Sequence, residues 1–123
     1  MDIEEMFSRQ RALHEKHASD WSRLTPDTAP TRLFWGIGEM GEVIDTVKKF
    51  GTSAIASDPV VRRHFTEEMG DVIMYLMDVL LCLGISAEEF AETYRAKCDR
   101  NLKRDYAAEK DDLRNKEAER QKG

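Results

Sequence analysis

The sequence predicts an all-α fold: a protomer of four helices in an antiparallel bundle that oligomerisation completes. Three observations predict it. Apolar residues recur at alternating steps of three and four, with no convincing period-two run that would mark a strand. Helix start and stop signals divide the 123 residues into four such stretches. A lone protomer of this length is marginally stable, which favours association.

The first helix is expected from about Asp2 to Ser22, where Ile3, Met6, Phe7, Leu13 and His17 fall near helical spacing. Thr25-Pro26-Asp27 and Ala29-Pro30 break the chain. The second, from about Thr31 to Phe50, carries Leu33, Ile37, Met40, Ile44 and Val47 as a core stripe, and Gly51 ends it. Asp58-Pro59, an N-cap followed by proline at the first helical position, opens the third. That helix runs through Phe65, Met69, Val72, Ile73, Leu76, Leu80 and Leu83 to a stop at Gly84, and Ser86 with Glu89 makes a capping box for the fourth. From Ala107 onward charge dominates and Leu113 is the only large apolar residue. Residues 1–106 therefore read as one domain and residues 107–123 as a charged C-terminal tail, helical or disordered, with a frayed or solvated state preferred.

Composition narrows the function. A formal charge of −5 argues against broad binding to a nucleic-acid polymer, which needs a basic face. Cys82 and Cys98 lie inside helical patterns without metal-type spacing and read as reduced thiols. The N-terminus is acidic and lacks an apolar signal core, and no run approaches the length of a membrane span, so a cytoplasmic protein with no membrane partner is expected.

The most informative feature is a repeat. Glu39-Met40-Gly41-Glu42-Val43-Ile44 recurs as Glu68-Met69-Gly70-Asp71-Val72-Ile73, changed only at its fourth position. With the methionine as zero and about 100° per residue, the apolar stripe of the second helix centres near 20°, and Glu39 and Glu42 lie at about −100° and −160°. Glu68 and Asp71 take the same two offsets on the third. Two antiparallel neighbours facing each other are related by a two-fold axis, so flanks of equal offset emerge on the same side. The four carboxylates should converge, with Glu42 opposite Glu68 and Glu39 opposite Asp71. Two carboxylates about 6 Å apart repel by roughly 3 kcal/mol at an effective dielectric near 20, and a bound cation relieves this. Oxygen ligands alone favour a hard ion, Mg²⁺ first and Mn²⁺ second. The plain alternative is ordinary surface acids on amphipathic helices.

Two other patterns carry less. Gly36-Ile37-Gly38-Glu39-Met40-Gly41 matches the dinucleotide pattern G-x-G-x-x-G but has no strand before it. A di-iron bundle needs two Glu-x-x-His motifs, and none of His14, His17 and His64 follows a glutamate by three, so these read as surface or packing residues. On the fourth helix Lys97, Asn101 and Arg104 share a face with Phe90 and Tyr94, which turns an apolar stripe cationic. Lys97 and Arg104 could hold phosphate oxygens while Asn101 orients them; a solvated face is the alternative. Trp35 and Tyr75 stand one turn from Glu39 and Asp71 and could stack on a base or ribose, or simply pack.

Taken together, Glu39-Met40-Gly41-Glu42, Glu67-Glu68-Met69-Gly70-Asp71 and the Lys97…Asn101…Arg104 stretch resemble the MazG-like group of all-α nucleoside triphosphate pyrophosphatases. That group's hallmark is Glu-x-x-Glu, a spacer, then Glu-Glu-x-x-Asp, with a later Lys-x-x-x-Asn-x-x-Arg. Here 25 residues separate Glu42 from Glu68, and the likeness covers about residues 30 to 106. The resemblance implies Mg²⁺-dependent hydrolysis of a (deoxy)nucleoside triphosphate to the monophosphate and pyrophosphate, in nucleotide-pool sanitation. Glu39, Glu42, Glu68 and Asp71 would be metal ligands, Glu39 or Glu42 would accept the proton of the attacking water, and Lys97 and Arg104 would bind phosphate. Tyr75 matches an aromatic beside the nucleoside in some relatives. Gly38 departs from the pattern, since many members carry a further glutamate there. The resemblance also implies a homodimer or homotetramer. A nucleotide-binding regulatory module without turnover, or a helical adaptor with a solvated acidic face, are the rival classes.

Overall fold

The computed structural model describes residues 1–123 and is all-helical. Five α-helices form, one more than the sequence predicts: α1 (Ile3–Lys16), α2 (Ala29–Ser57), α3 (Pro59–Cys82), α4 (Ala87–Lys103) and α5 (Tyr106–Lys122), with a single 3₁₀ turn at Pro26–Thr28. The fifth helix is the charged tail. Asp105 caps it by accepting from the Ala108 N–H at 2.9 Å, and all its side chains are exposed. Local charge pairs such as Lys116–Asp112 at 2.9 Å support the tail helix without any core.

The chain divides into two compact units, residues 1–89 and residues 90–123. In the first, Asp2 caps α1 through the Glu5 N–H at 2.8 Å, and Phe7, Gln10 and His14 form its buried face against α3. This helix stops at Lys16, short of the expected Ser22, and Trp21 and Ser22 lie in the connection that follows. Pro30 sits in the first turn of α2, where its missing N–H costs nothing. The expected end at Gly51 is instead a break inside a longer element. Gly51 has φ 77° and ψ 158°, and a further helical stretch runs on to Ser57. Asp58 then caps α3 through the Val60 N–H at 2.9 Å, and the chain turns at Gly84, φ 70°, after α3.

Helices α2 and α3 pack antiparallel. As α2 advances from Arg32 through Gly36 to Glu39, the facing groups on α3 step back from Asp78 through Tyr75 to Asp71. The seam on α2 is Ala29, Arg32, Gly36, Glu39, Val43 and Thr46, at steps of three and four. It lies about 90° round the helix from the expected core stripe. That expectation is corrected: Leu33, Ile37, Met40 and Ile44 face outward, with Ile37 68% exposed, and so do Ile73 and Leu76 on α3 and Leu83 just past its end. The reason is size. Small or β-branched seam residues let the helices approach closely, and at Gly36 an added Cβ would already touch the Tyr75 Cβ at 3.4 Å. Gly38, Gly41 and Gly70 meet nothing within 4 Å, so close approach does not account for them.

Candidate active site

The rotated seam decides which acids meet. Glu39 and Glu68 occupy equivalent positions in the two copies of the repeat and both turn toward the helix pair. Carboxylate oxygens of Glu39, Glu68 and Asp71 lie within 4.8 Å of one another, with Glu39 and Glu68 half-buried and Asp71 exposed. Glu42 is exposed and stands outside this trio, at its rim. Its charge still reaches Glu39. The Glu39 carboxyl is held above its ordinary range, first by desolvation and then by Asp71, Glu68 and Glu42 in that order. No cation of the chain sits inside the trio. His64 Nε2 lies 3.7 Å from a Glu68 carboxylate oxygen, one helical turn away on an exposed part of α3. Three oxygen donors, mutually repelling and partly desolvated, fit a hard divalent cation and fit no soft metal.

A cavity of about 540 Å³ opens beside the trio, inside the first unit. Glu39 and Asp71 stand in its wall together with Trp35, Tyr75, Met74 and Trp21. Trp35 and Tyr75 meet edge to face, with ring centroids 6.1 Å apart. The Tyr75 hydroxyl is pushed above its usual range by desolvation, then by Glu39, Asp78 and Asp71, so it stays a neutral hydrogen-bond donor at physiological pH. Trp21 stacks on His17 at 4.6 Å and turns its edge to His14 at 5.1 Å.

The same cavity is also lined by a polar set that sequence reading missed. Asp78 Oδ1 accepts from Gln10 Nε2 at 2.8 Å and lies 2.9 Å from His14 Nε2, and Asp78 Oδ2 accepts from Arg32 Nη1 at 3.3 Å. Arg32 Nη2 donates to the Ser22 carbonyl at 2.7 Å. Asp78 and Arg32 are each 3% exposed. The signal was present: an acid in the middle of the apolar run from Val72 to Leu83, and an arginine just inside the start of α2. Neither belongs there unless it is paired.

Lys97, Asn101 and Arg104 lie in the second unit and line a shallow depression with Arg100, Lys103 and Glu109. Arg104 falls just beyond the end of α4. Its Nε and Nη2 grip the two carboxylate oxygens of Glu109 at 3.0 and 2.7 Å, and its guanidinium lies 4.6 Å above the Tyr106 ring. This pairing raises the Arg104 pKa and lowers that of Glu109. Cys82 is a buried free thiol and Cys98 an exposed one, and no single helix is long and apolar enough to cross a membrane.

No curated protein and no solved structure matches the chain at a significant level. Residues 13–123, however, match the model of the dATP/dGTP pyrophosphohydrolase family, so both copies of the acidic repeat and the charged tail fall inside the match. The acidic repeat, the all-helical frame and this match agree: the chain belongs to the dATP/dGTP pyrophosphohydrolase family, an all-helical MazG-like group of nucleoside triphosphate pyrophosphatases.

Proposed function

We propose that this protein hydrolyses purine deoxynucleoside triphosphates between the α- and β-phosphates, giving the monophosphate and pyrophosphate. One observation carries the reading: three converging carboxylates stand at a cavity of nucleoside size whose wall is aromatic. The nucleotides in the family's name, dATP and dGTP, supply the choice of base and sugar. Removal of such nucleotides from the pool is the matching cellular role, and the cytoplasm is its place.

Glu39, Glu68 and Asp71 would hold Mg²⁺, or Mn²⁺ in its stead, with Glu42 as a further ligand at the rim. When bound, the ion supplies charge neutralisation for the phosphate oxygens and a site for water. We assign the proton of that water to Glu42 or Glu39, the two acids that α2 brings to the site, with Glu42 lying outside the trio. Trp35 and Tyr75 flank the nucleoside, Tyr75 with its hydroxyl as a donor. Trp21 offers a second aromatic face to the same cavity. Lys97 and Asn101 are assigned to phosphate oxygens on their charge and hydrogen-bonding capacity, and Arg104 to the same role where phosphate displaces its Glu109 partner.

A second copy of the chain covers the outward apolar face. Leu33, Ile37, Met40 and Ile44 on α2 and Ile73 and Leu76 on α3 share nearly one rotational offset and so emerge on one side of the helix pair. An apolar stripe of this extent on two adjacent helices is unusual for a monomer and fits a homodimer or homotetramer.

The direct test is to incubate the protein with dATP, dGTP, dCTP and dTTP in turn, with Mg²⁺, and to measure pyrophosphate and monophosphate. Equal amounts of both products from dATP or dGTP, and none after chelation, are expected. Orthophosphate as the sole product contradicts the proposed bond, and binding without turnover contradicts catalysis.

A further inference from the structure

The buried polar set reaches beyond the activity. Arg32 precedes Glu39 by seven residues on α2, and Asp78 follows Asp71 by seven on α3. Seven residues are two helical turns, about 10.5 Å, and return to nearly the same face. Because the helices run antiparallel, the Arg32–Asp78 pair and the Glu39–Asp71 pair are two rungs of one ladder.

The rest of the seam does little to fix axial position. Ala29, Gly36, Val43, Thr46 and Val72 are small or β-branched, and their non-directional packing tolerates small axial shifts. An ion pair does not, because its attraction and hydrogen bonds depend on geometry. Stability alone is a poor reason to keep it. Burying Arg32 and Asp78 carries a desolvation penalty that apolar residues of similar volume would avoid. The set is also incomplete. His14 Nδ1 and Arg32 Nε are buried with no hydrogen-bond partner. Gln10 and His14 further tie α1 to the same carboxylate, and Arg32 ties the Ser22 backbone beside Trp21. One carboxylate therefore joins the acidic trio's two helices to each other and to α1.

We propose that the buried Arg32–Asp78 pair is a positioning pair, which sets the axial register of α2 against α3 and thereby holds Glu39 opposite Glu68 and Asp71 at metal-binding separation. This rests on the reading of the trio as a divalent-cation site. The test compares the wild-type protein with the double substitution Arg32→Met/Asp78→Leu. Mn²⁺ binding without nucleotide is followed by electron paramagnetic resonance, the melting temperature by circular dichroism, and kcat and KM on dATP or dGTP by pyrophosphate release. The expected result is a folded variant that binds Mn²⁺ about 10-fold or more weakly, the range seen when residues supporting metal ligands are lost. Its kcat falls more than its KM rises. A folded variant with wild-type Mn²⁺ affinity and kcat overturns the proposal and leaves the pair a structural element. If the double variant does not fold, Asp78→Asn, which keeps the shape and one acceptor but removes the charge facing Arg32, undergoes the same measurements with the same criteria. A wild-type protein that binds no Mn²⁺ overturns the metal reading itself.

Discussion

At Glu39 burial and three like charges act in one direction, and the consequences can be read without substrate. Its carboxyl is raised in the folded chain by desolvation, Asp71, Glu68 and Glu42, and in the unfolded chain these influences are gone. Between the ordinary carboxylate range and the raised value the folded state therefore binds more protons than the unfolded one. The Glu39 contribution favours folding at low pH and is lost as pH rises through that window. Replacing Glu39 by Gln removes this dependence. In the presence of a chelator the melting temperature of Glu39→Gln should gain on that of wild type as pH climbs from the acid side to neutrality, and a gap that shrinks would contradict the assigned causes. Mg²⁺ should raise the wild-type melting temperature and have little effect on the variant. Activity moves the opposite way: loss of a metal ligand removes several kcal/mol of charge stabilisation, so kcat should fall by about 100-fold or more in Glu39→Gln and in Glu68→Ala. Near-normal helicity of Glu68→Ala by circular dichroism separates this from unfolding.

Among the elements, α2 shows how two glycines in one helix can have opposite roles. Gly51 sits at φ 77° and ψ 158°, a conformation essentially restricted to glycine, and the break it makes lets the chain reach Asp58 and α3. Gly51→Ala should destabilise the protein by about 1–3 kcal/mol. Gly38 is helical and meets nothing within 4 Å, so Gly38→Ala should stabilise by up to about 1 kcal/mol through propensity alone. Chemical denaturation of both variants checks the pair of signs. The same helix shows what was legible in advance. The caps at Asp58 and Ser86, the antiparallel pairing and the acidic repeat are local patterns, and a local pattern survives in the sequence. The seam is not local. Hydrophobicity placed it on Leu33, Ile37, Met40 and Ile44, whereas backbone proximity placed it on Gly36, Val43 and Thr46 with Arg32 buried among them. Rotating the helix by about 90° turned Glu39 inward, and three acids gather where four were expected, with Glu42 outside the trio. Arg32 and Asp78 were overlooked for the same reason, since each is intelligible only opposite the other.

For the whole molecule, the rotation leaves an account to settle, because the stripe that hydrophobicity marks as core lies on the surface of the isolated chain. Glu42 and Asp71 lie on one flank of the α2–α3 seam and the apolar stripes on the other, so a second copy can cover the stripes without closing the cavity. Fully burying an isoleucine contributes about 1.5–3 kcal/mol, and a two-fold interface contains each residue twice. Ile37→Glu should therefore weaken a dimer by about 3–6 kcal/mol, on the order of 10²- to 10⁴-fold in the dissociation constant. Because Ile37 is 68% exposed within one protomer, the substitution leaves the protomer's own packing intact. Sedimentation velocity over a range of concentrations should show wild type as a dimer or tetramer and Ile37→Glu shifted to monomer, with helicity unchanged. Leu113→Glu, on the solvated α5, is the control and should sediment as wild type does. A wild-type chain that is monomeric at every concentration, or an Ile37→Glu variant that associates as tightly as its parent, would mean that these helices meet no second copy through this face.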